Sequence, residues 1–535
     1  MRRNLRSSVM IVGGGPVGLS MALLLDRFGV DCVVTERSTK TTDHPKARGC
    51  MARTMELFRQ WGVEDSIRNR GLARDADVFA VASQVAGEEY GRSRPEPDLD
   101  QTPAWKSVVA QDAVEEEIFK KLETARHVRL HFSAEVVSVE EGEDDVVVRT
   151  RSMTSGEEEL WRATYVVAAD GAGSGIRRAS GIEMVGPPTL AVMSNDYWKG
   201  DLSGVSRAQN CAGWLLFPAD RNEPRMTILN TNGRDRWLSV LRVGDVEDER
   251  AHAWTDAEFA AMTRRYVGLP DLSVELINRS IWRVSKQVAA TYRKGRILIA
   301  GDAAHRFPPN GGYGMNSGIQ DAHNLAWKLA FVLKGLAKDR LLDSYTLERR
   351  PVAQSNANFS LGNYDRFNAL EEAVRSNNED RIQFWIDDMD NHTHSMGQSL
   401  GVIYEEGAVI RDGTVPPAYN PRIYVPTDRP GSRFPHLWLD SSRTRSTIDW
   451  FDTEFVVVAG PLGSQWLEAG RDVSAKTGMP LGLRSLPRAD YRDGIRMGQR
   501  GVALVRPDGH VAWRMPWMAA HPAKELADAL STLLQ

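Results

Sequence analysis

The chain has 535 residues, more than a single hydrophobic core usually holds, so at least two domains are expected. Hydrophobic residues make up 42% of it and charged residues 26%, the ordinary balance of a globular protein. The formal net charge of -4 comes without a large basic block, which argues against nucleic-acid or anionic-membrane binding.

The cysteines and the N-terminal segment exclude further classes. Cys32, Cys50 and Cys211 are spaced as neither a disulfide framework nor a zinc site, so no metal is predicted and a reduced, cytoplasmic location is favoured. The apolar run before the first glycines ends too early for a signal peptide or a membrane span. It is better explained as a first β-strand over residues 9–12.

A glycine-rich turn, GGGPVG, follows this strand and opens a predicted helix. Gly13 permits a tight turn, Gly15 lets a pyrophosphate approach the backbone, and Gly18 allows the helix to pack closely on the strand. The helix N-terminus, with Pro16 and Val17 in its first turn, offers free N–H groups to phosphate. The turn therefore predicts a dinucleotide-binding site.

An acidic residue stands at the end of the next predicted strand. This strand covers residues 31–35 and leads into Glu36, whose carboxylate can accept hydrogen bonds from ribose hydroxyls. A free ribose is common to NAD and FAD, so this motif by itself does not choose between them.

Two more predicted strands end in polar, glycine-containing segments. The strand over residues 161–167 is followed by ADGAGSGIRR, which places Asp170 just past its end. The strand over residues 296–300 is followed by Asp302, two prolines and several glycines, and then by a helix predicted over residues 315–333. Ligands of open α/β sheets bind at the carboxyl ends of the strands, so both carboxylates are candidate ligand contacts.

Together these motifs resemble the single-component FAD-dependent aromatic hydroxylases, the family of para-hydroxybenzoate and phenol hydroxylases. The resemblance rests on GGGPVG, ADGAGSGIRR and GDAAHRFPPNGGYGMNSGIQDAHNLAWKLA, and it covers residues 1–350. Within the family the sequence is most similar to the larger enzymes with a C-terminal thioredoxin-like domain, which act on phenols, polyketides and other natural-product aromatics. No second G-x-G-x-x-G motif with strand and helix context is present, which fits a family in which NAD(P)H binds transiently and the flavin swings out to meet it.

The resemblance implies that the dinucleotide is FAD and that NADPH or NADH is the co-substrate. It implies that Glu36 holds the adenosine ribose, and that Arg48 and Gln111 contact the FAD phosphates and the ribityl region. It also implies that Asp170 serves both FAD and NAD(P)H, and that Asp302 binds the ribityl hydroxyls. The residues predicted to bind FAD are Gly13, Gly15, Pro16, Val17, Gly18, Glu36, Arg37, Arg48, Gln111, Asp170, Asp302, Pro309, Gly314, Met315 and Asn316.

The prolines and glycines of the third motif are predicted to shape the flavin site. Pro308 and Pro309 lack N–H groups and stiffen the chain, which leaves their carbonyls with few local partners and free to meet a flavin edge or a substrate hydroxyl. Gly314 lets the main chain pass close to a flat ring. The backbone N–H groups of Met315 and Asn316, at the start of the helix, would stabilise negative charge on reduced flavin. Pro309, Met315 and Asn316 are therefore the candidate catalytic residues.

The resemblance implies a monooxygenase reaction. NAD(P)H would reduce the flavin, O2 would then give a flavin hydroperoxide, and one oxygen atom would pass to a small aromatic substrate, phenolic or polycyclic. A Baeyer–Villiger insertion on the same scaffold and a non-catalytic FAD-containing binding protein are the alternatives. The intact PPNGGYGMN loop argues against the second, because a binding protein does not need helix N–H groups directed at reduced flavin. His305 is expected to be structural rather than the acid or base.

Residues 185–290 are predicted to form an antiparallel sheet that covers one face of the flavin and binds the substrate. The predicted strands cover residues 191–197, 213–217, 225–230 and 237–241. The candidate substrate contacts are Asn195, Trp214, Phe217 and Pro308. No Arg or Lys stands out as a carboxylate clamp, which favours a neutral phenol or fused ring over a benzoate.

The C-terminal part is predicted to form a helical connector and a thioredoxin-like domain. A strand, a helix, a second strand, a hairpin that turns at Asp508-Gly509 and a final helix give that layout. No cysteine follows Cys211, which excludes C-x-x-C redox chemistry, so the domain is expected to be structural or to mediate association as a homodimer. The predicted class is thus α/β, with a Rossmann-type FAD-binding domain over residues 1–184 and 291–350, a substrate domain over 185–290, a connector over 351–410 and the thioredoxin-like domain over 411–535.

Overall fold

The computed structural model describes residues 4–205, 208, 210–218, 223–244, 254–487 and 494–535. Its strands, in chain order, are β1 Asn4–Val12, β2 Cys32–Glu36, β3 Arg48–Cys50, β4 Phe79–Ala82, β5 Glu89–Arg92, β6 Ser107–Ala110, β7 Val128–Phe132, β8 Ala134–Glu141, β9 Val146–Ser152, β10 Glu158–Ala168, β11 Met184–Val185, β12 Ala191–Lys199, β13 Gly213–Leu216, β14 Met226–Asn230, β15 Arg236–Gly244, β16 Glu275–Val284, β17 Gln287–Ala289, β18 Arg293–Lys294, β19 Ile297–Ile299, β20 His305–Arg306, β21 Phe455–Ala459, β22 Leu481–Ser485, β23 Val502–Val505 and β24 Val511–Met515. Its helices are α1 Pro16–Arg27, α2 Ala52–Trp61, α3 Glu64–Arg68, α4 Gln111–Leu122, α5 Gly175–Ala179, α6 Asp256–Val267, α7 Tyr313–Leu333, α8 Asp343–Arg375, α9 Glu379–Asp388, α10 Asp390–Thr393, α11 Met396–Leu400, α12 Ser464–Thr477 and α13 Pro522–Leu533.

The first sheet has the strand order β18-β19-β10-β1-β2-β7, and β9 joins it through β10. The pairs β1–β2, β1–β10, β10–β19 and β2–β7 are parallel. Parallel strands are typically buried on both faces, which explains the continuous apolar runs of β1, β2 and β19. Because the strands are parallel, the carboxyl ends of β1, β2, β10 and β19 meet at one edge of the sheet. The α/β class predicted from the sequence is confirmed.

Helices α1 and α7 pack together beside this edge. The side chain of Val17 in α1 occupies the space that a Cβ at Gly301 or Gly318 would need, at 2.8 and 2.5 Å from those positions. Small residues at these two places let α1 and the start of α7 approach the sheet closely. The three glycine- and aspartate-containing segments of the sequence are thereby brought to one side of the molecule.

The second sheet has the order β16-β12-β15-β14-β13-β4-β5 and is antiparallel except for the parallel pair β13–β4. Its register places side chains in rows across the sheet, because directly paired residues point to the same face. One row runs from Asn195 through Val240, Thr227 and Leu215 to Val81. The next runs from Asp196 through Ser239, Ile228 and Trp214 to Ala80, on the opposite face.

Different elements of the structure pack against the two faces of the second sheet. The face that carries Trp214 forms a closed core with Trp198, Trp237 and α6. The other face, which we call the near face, carries Asn195, Thr227, Leu215 and Phe217 and is covered at one end by α8 and α9. Four predicted strands of this region are confirmed as β12, β13, β14 and β15, with ends that match the prediction or differ from it by at most three residues.

Helix α8 continues through Pro351. An internal proline removes one helical hydrogen bond and usually kinks or ends a helix. The helix survives that loss because its buried residues, which include Tyr345, Ala353, Ala357 and Leu370, pack along its whole length. Tertiary packing therefore outweighs the local cost.

The C-terminal sheet has the order β22-β21-β23-β24, with β21–β22 parallel and the remaining pairs antiparallel. Helices α12 and α13 cover it, and Asp508-Gly509 lies in the β23–β24 hairpin as the sequence predicts. One hydrophobic core is continuous between this sheet and the first sheet, through residues such as Trp327, Phe331 and Phe455. The thioredoxin-like assignment of this unit stays a prediction.

Candidate active site

The glycine turn after β1 is tight on one side and open on the other. Gly13 adopts a φ of +111°, and its N–H donates to the carbonyl of Thr35 (2.8 Å). A Cβ on Gly13 would overlap the Ala169 carbonyl, and one on Gly18 would overlap the Gly13 carbonyl. A Cβ on Gly15 would meet only Glu115, at 4.0 Å. Gly13 and Gly18 are therefore required for packing, while Gly15 borders an open groove at the N-terminus of α1.

Glu36 is the last residue of β2, and its carboxylate binds the backbone of this turn. One carboxylate oxygen accepts a hydrogen bond from the Gly14 N–H (2.7 Å), and the other accepts one from the Ser38 N–H (2.8 Å). Each carboxylate oxygen can accept more than one hydrogen bond, so the ribose contact predicted for Glu36 remains compatible with this geometry. Arg37, next along the chain, is exposed.

Asp170 follows β10 and has one carboxylate oxygen without a partner. Its Oδ2 accepts a hydrogen bond from the Ile176 N–H (3.3 Å), whereas its Oδ1 is buried with no hydrogen-bond partner. The glycines that follow, Gly171, Gly173 and Gly175, would each have no atom within 4 Å of an added Cβ. A buried carboxylate oxygen beside open backbone is suited to a ligand hydroxyl or N–H group.

Asp302 lies just past β19 in a recess. Its side chain is exposed, whereas Gly301 and Ala303 on either side are buried. The surrounding protein nevertheless desolvates the carboxyl group and raises its pKa above the ordinary value. A hydrogen-bonding ligand in this recess would replace the missing water and stabilise the carboxylate.

A buried cluster around Asp321 in α7 supports the Asp302 segment. Asp321 accepts hydrogen bonds from the Gly301 N–H (3.2 Å), from His305 Nε2 (2.8 Å) and from Arg349 Nε (2.8 Å). His305 and Arg349 hold the pKa of Asp321 below its ordinary value despite its burial. His305 is fully buried in this cluster, so its position agrees with the structural role expected for it. Asp321 could not be predicted from the sequence, because a single Asp on a helix carries no signal of such a contact.

The N-terminus of α7 lies against β3. Gly312, the residue before α7, has a φ of +71°. The Asn316 side chain accepts from the Met51 N–H (2.8 Å) and donates to the carbonyls of Gly49 (3.0 Å) and Gly312 (2.6 Å). Asn316 thus fixes the first turn of α7 to β3, and the sequence had suggested only its backbone N–H as a functional group.

Open glycines border the space between β3 and α7. An added Cβ on Gly49 or on Gly314 would meet no atom within 4 Å. The first N–H groups of α7, which include that of Met315, have no acceptor one turn earlier in the helix. The N–H groups ahead of Asn316, that of Met315 among them, are available to a negatively charged group in this space, and the roles predicted for Met315 and Asn316 stay predictions.

The segment 307–312, which we call the Pro–Gly loop, precedes α7. Pro308 is buried and Pro309 is exposed. The Pro309 carbonyl accepts a hydrogen bond from the Gly312 N–H (3.0 Å). The Pro309 carbonyl, which was predicted to have few local partners, thus has one, because the loop closes as a turn. A second lone pair on that carbonyl remains available.

The groove fits FAD. The open glycines at positions 15, 49 and 314 line it, and two carboxylates, Asp170 and Asp302, face it with unsatisfied or desolvated oxygens. The N-termini of α1 and α7 supply N–H groups at two separate places, one suited to a pyrophosphate and one to a flavin edge. A dinucleotide spans such separated contacts, whereas a mononucleotide would leave one set unpaired.

Arg48 and Gln111 differ from the contacts that the resemblance implies. Arg48 Nη1 donates to the carbonyls of Ala212 and Asn230 (2.9 Å for the latter), so its side chain reaches the second sheet rather than a phosphate. Burial lowers the pKa of Arg48 to about 10. Gln111 donates to Glu115 (2.7 Å) within α4. Both residues adjoin the groove through β3 and β6, and their direct contacts with FAD stay predictions.

Of the candidate substrate contacts, Trp214 lies away from the groove. Its side chain is fully buried in the core on the opposite face of the second sheet. Period-two alternation along β13 points Leu215 and Phe217 to the near face and Trp214 away from it. Asn195 lies on the near face, and its Oδ1 is buried without a partner. Asn195 and Phe217 therefore lie on the near face and Trp214 on the opposite one, and all of them stay predictions as substrate contacts.

Comparisons with known proteins agree with an FAD-binding fold. Residues 6–360 match the family model described as "FAD binding domain", and residues 427–535 match the one described as "Aromatic-ring hydroxylase, C-terminal". The chain is 33% identical over 564 residues to a tetracenomycin A2 monooxygenase-dioxygenase of Streptomyces glaucescens, with 98% of this chain and 96% of the relative covered. It is 34% identical over 548 residues to a 4-methyl-5-nitrocatechol 5-monooxygenase of Burkholderia sp, with 98% and 97% covered. The crystal structure of the flavin-dependent monooxygenase PieE with FAD and substrate is 29% identical, with a TM-score of 0.90 and 99% of each chain covered.

The fold and the groove define a flavoprotein that binds FAD in a dinucleotide-binding fold. The chain belongs to the family of FAD-dependent aromatic-ring hydroxylases. It is a monooxygenase that uses NAD(P)H and O2 to hydroxylate an aromatic substrate. Within the described part of the chain, no helix has both the length and the apolar character needed to cross a membrane. The same residues include no cluster of three or more His, Cys, Asp or Glu placed to hold a metal ion.

Proposed function

We propose that this monooxygenase hydroxylates a neutral phenol or fused-ring aromatic compound, bound between the Pro–Gly loop and the near face of the second sheet. The observation that carries the proposal is the composition of the near face. Its two rows of side chains consist mainly of Val81, Leu215, Val240, Phe79, Leu229 and Leu238. An apolar wall with a few polar groups is suited to an aromatic ring that carries few oxygens.

The residues around the groove have separate tasks. Asp170 and Asp302 accept hydrogen bonds from the cofactor, and the N-terminus of α1 binds its pyrophosphate. Bound FAD supplies hydride acceptance from NAD(P)H and the activation of O2. The backbone N–H groups predicted for this role, those of Met315 and Asn316 at the start of α7, would stabilise negative charge that develops on the bound cofactor.

Polar groups beside the apolar wall orient the substrate. The Asn195 Oδ1 can accept a hydrogen bond from a phenolic hydroxyl, because it is buried without a partner on the near face. The free lone pair of the Pro309 carbonyl offers a second acceptor at the Pro–Gly loop. Two acceptors at defined places would select the ring position that meets the cofactor.

A substrate screen tests the proposal. Purified holoenzyme is mixed with NADH or NADPH and with phenol, 1-naphthol or 4-hydroxybenzoate, and nucleotide oxidation and products formed under 18O2 are measured. Faster oxidation with phenol and 1-naphthol than with 4-hydroxybenzoate, together with one 18O atom in a hydroxylated product, is expected. Preference for the benzoate would overturn the neutral-substrate assignment. An ester or lactone made from a cyclic ketone in a parallel reaction would instead indicate the Baeyer–Villiger route.

The domain boundaries, the compartment and the oligomeric state are proposed as the sequence predicts them. The three cysteines are free and buried, which fits a reduced, cytoplasmic setting. Burial raises the pKa of the Cys50 thiol to about 12, so this thiol stays protonated and unreactive. A homodimer is expected, and light scattering during size-exclusion chromatography measures the mass directly.

A further inference from the structure

One face of α8 links the start of α7 to the near face of the second sheet. At one end, Asn356 Nδ2 donates to Ser317 Oγ in α7 (2.8 Å). The Phe359 ring contacts the Tyr313 ring, with centroids 5.5 Å apart. At the other end, Phe367 packs with Leu215 of the near face. This face of the helix therefore borders the cavity in which we place the substrate.

Asn363 stands between Phe359 and Phe367 on this face, one turn from each. Its side chain is fully buried in an otherwise aromatic stripe. Its Oδ1 accepts a hydrogen bond from Arg366 Nη1 (2.9 Å), and Arg366 Nε also donates to Asp388 (2.7 Å). A guanidinium has no acceptor, so this contact fixes which end of the amide is oxygen.

The amide nitrogen of Asn363 has no partner. Asn363 Nδ2 is buried without a hydrogen-bond partner and lies 3.2 Å from the position that a Cβ on Gly311 would take. The two N–H donors are thus held at the Pro–Gly loop, on the side where α8 meets the near face. An unpaired buried donor destabilises a protein, so one retained at a binding cavity points to a ligand that pairs with it.

We infer that Asn363 donates a hydrogen bond to an oxygen atom of the aromatic substrate and so helps to select and orient it. The inference rests on the proposed function, because the substrate cavity is defined there. The recognised group is a carbonyl, phenolate or hydroxyl oxygen on the ring system. Asn363 complements Asn195 on the near face: Asn363 Nδ2 would donate to one group of the substrate, and Asn195 Oδ1 would accept from another.

Matched ligands and variants test this role. Dissociation constants of the holoenzyme for 1-naphthol, 1-tetralone and naphthalene are measured by calorimetry for the natural protein and for Asn363→Leu and Asn363→Asp. Loss of one neutral hydrogen bond weakens binding roughly 3- to 10-fold. Asn363→Leu is expected to weaken 1-naphthol or 1-tetralone binding by that factor and to leave naphthalene binding unchanged. The oxygen ligand with the larger loss shows whether a hydroxyl or a carbonyl is recognised.

Two further measurements separate binding from packing. Asn363→Asp keeps an acceptor for Arg366 but replaces the donor with a second acceptor, so it is expected to weaken binding of 1-tetralone, which can only accept a hydrogen bond, more than Asn363→Leu does. The melting temperature of Asn363→Leu is expected to be unchanged or raised, since an unpaired donor is removed. Asn358→Leu, an exposed position on the same helix, is the control and should match the natural protein.

Equal losses for naphthalene and the oxygen-bearing ligands, or no loss for any ligand, would overturn the inference. So would a lower melting temperature with equal effects of Asp and Leu, because that pattern describes a packing residue. Absence of aromatic-stimulated NAD(P)H oxidation in the natural protein would instead count against the proposed function, while the binding comparison would still decide the role of Asn363.

Discussion

The Cα of Gly18 lies so close to the Gly13 carbonyl oxygen that a Cβ at residue 18 would overlap it. By contrast, the Cα of Gly15 faces the groove. Gly18→Ala is therefore expected to lower the free energy of unfolding by about 1–3 kcal/mol. Gly15→Ala is expected to leave the stability of the FAD-free protein unchanged and to weaken FAD binding. Thermal melts of the apoprotein measure the stability of each variant, and fluorescence titration measures its affinity for FAD. A Gly15→Ala variant that binds FAD as tightly as the natural protein would show that this turn is not part of the cofactor site.

Asp302 is expected to bind hydroxyl groups of FAD. Asp302→Ala should weaken FAD binding by about 10- to 100-fold, since a hydrogen bond to a charged group contributes about 1.5–3 kcal/mol. The measurement is FAD retained on gel filtration, followed by a titration of apoprotein. Asp271→Ala, which removes an exposed carboxylate from the other sheet region, is the matched control. Full retention of FAD by Asp302→Ala would contradict the assignment.

Trp214 and Asn195 should respond differently to substitution, because they lie on opposite faces of the second sheet. Trp214→Phe is expected to lower the free energy of unfolding by about 1 kcal/mol and to leave the KM for the aromatic substrate unchanged. Asn195→Ala is expected to raise KM about 3- to 10-fold with little change in stability. Steady-state kinetics and urea unfolding measure the two effects. The opposite pattern would place the substrate on the Trp214 face.

A buried ionic cluster ties the C-terminal hairpin to α7. Arg506 donates to Glu348 (2.8 Å) and to Asp508 (3.0 Å), Lys328 donates to Glu348 (2.8 Å), and Trp327 Nε1 donates to Asp508 (3.2 Å). Asp508→Asn leaves the buried positive charges of this cluster incompletely neutralised, so it is expected to lower the free energy of unfolding by about 3 kcal/mol. Because Trp327 and Lys328 belong to α7, FAD affinity should fall as well.

Asp428→Asn is the matched control for that variant. Asp428 is equally buried and pairs with Arg514 inside the C-terminal unit, away from α7. It is expected to lower the melting temperature without changing FAD affinity. If the two variants lost FAD equally, the cluster around Asp508 would have no special influence on α7.

Stability is expected to fall as the pH drops below about 6.5. Burial lowers the pKa of His323, His392 and His510 to about 3 and that of His436 to about 4. Between these values and 6.5 the unfolded chain binds protons that the folded chain does not, so each such histidine makes unfolding more favourable as the pH falls, by up to about 1.4 kcal/mol per pH unit.

The carboxylates extend this effect to lower pH. Arg506 and Lys328 hold the pKa of Glu348 at about 2, so its contribution is complete above 4.5 and is lost as the pH falls towards 2. Melting temperatures measured from pH 8 to pH 4 should decline continuously below 6.5. A flat profile down to pH 5 would show that the histidines are not held neutral by the fold.

Much of the candidate cofactor site could be predicted from the sequence, because it consists of short motifs in which nearby residues set the backbone conformation. The glycines around β1 and the carboxylates after β10 and β19 belong to short segments whose strand–turn–helix context is visible in the sequence. The contacts that were missed depend on distant segments. Asp321 joins Gly301, His305 and Arg349, and Arg48 reaches the second sheet, and neither contact leaves a local pattern.

The sequence by itself determined the class of protein and, through its resemblance to a known family, the cofactor, and it predicted that the candidate cofactor contacts lie at one edge of the sheet. Glycine spacing, strand ends and a helix start are set within a few residues, and their chemistry does not depend on the rest of the fold. Only the tertiary structure decided how the four predicted substrate contacts divide between the faces of the second sheet: Asn195 and Phe217 lie on the near face, and Trp214 lies on the other. It also placed Asn363 at the Pro–Gly loop and the Asp508 hairpin against α7. Side-chain direction and pairing between remote elements follow from register and packing, which a single sequence does not display.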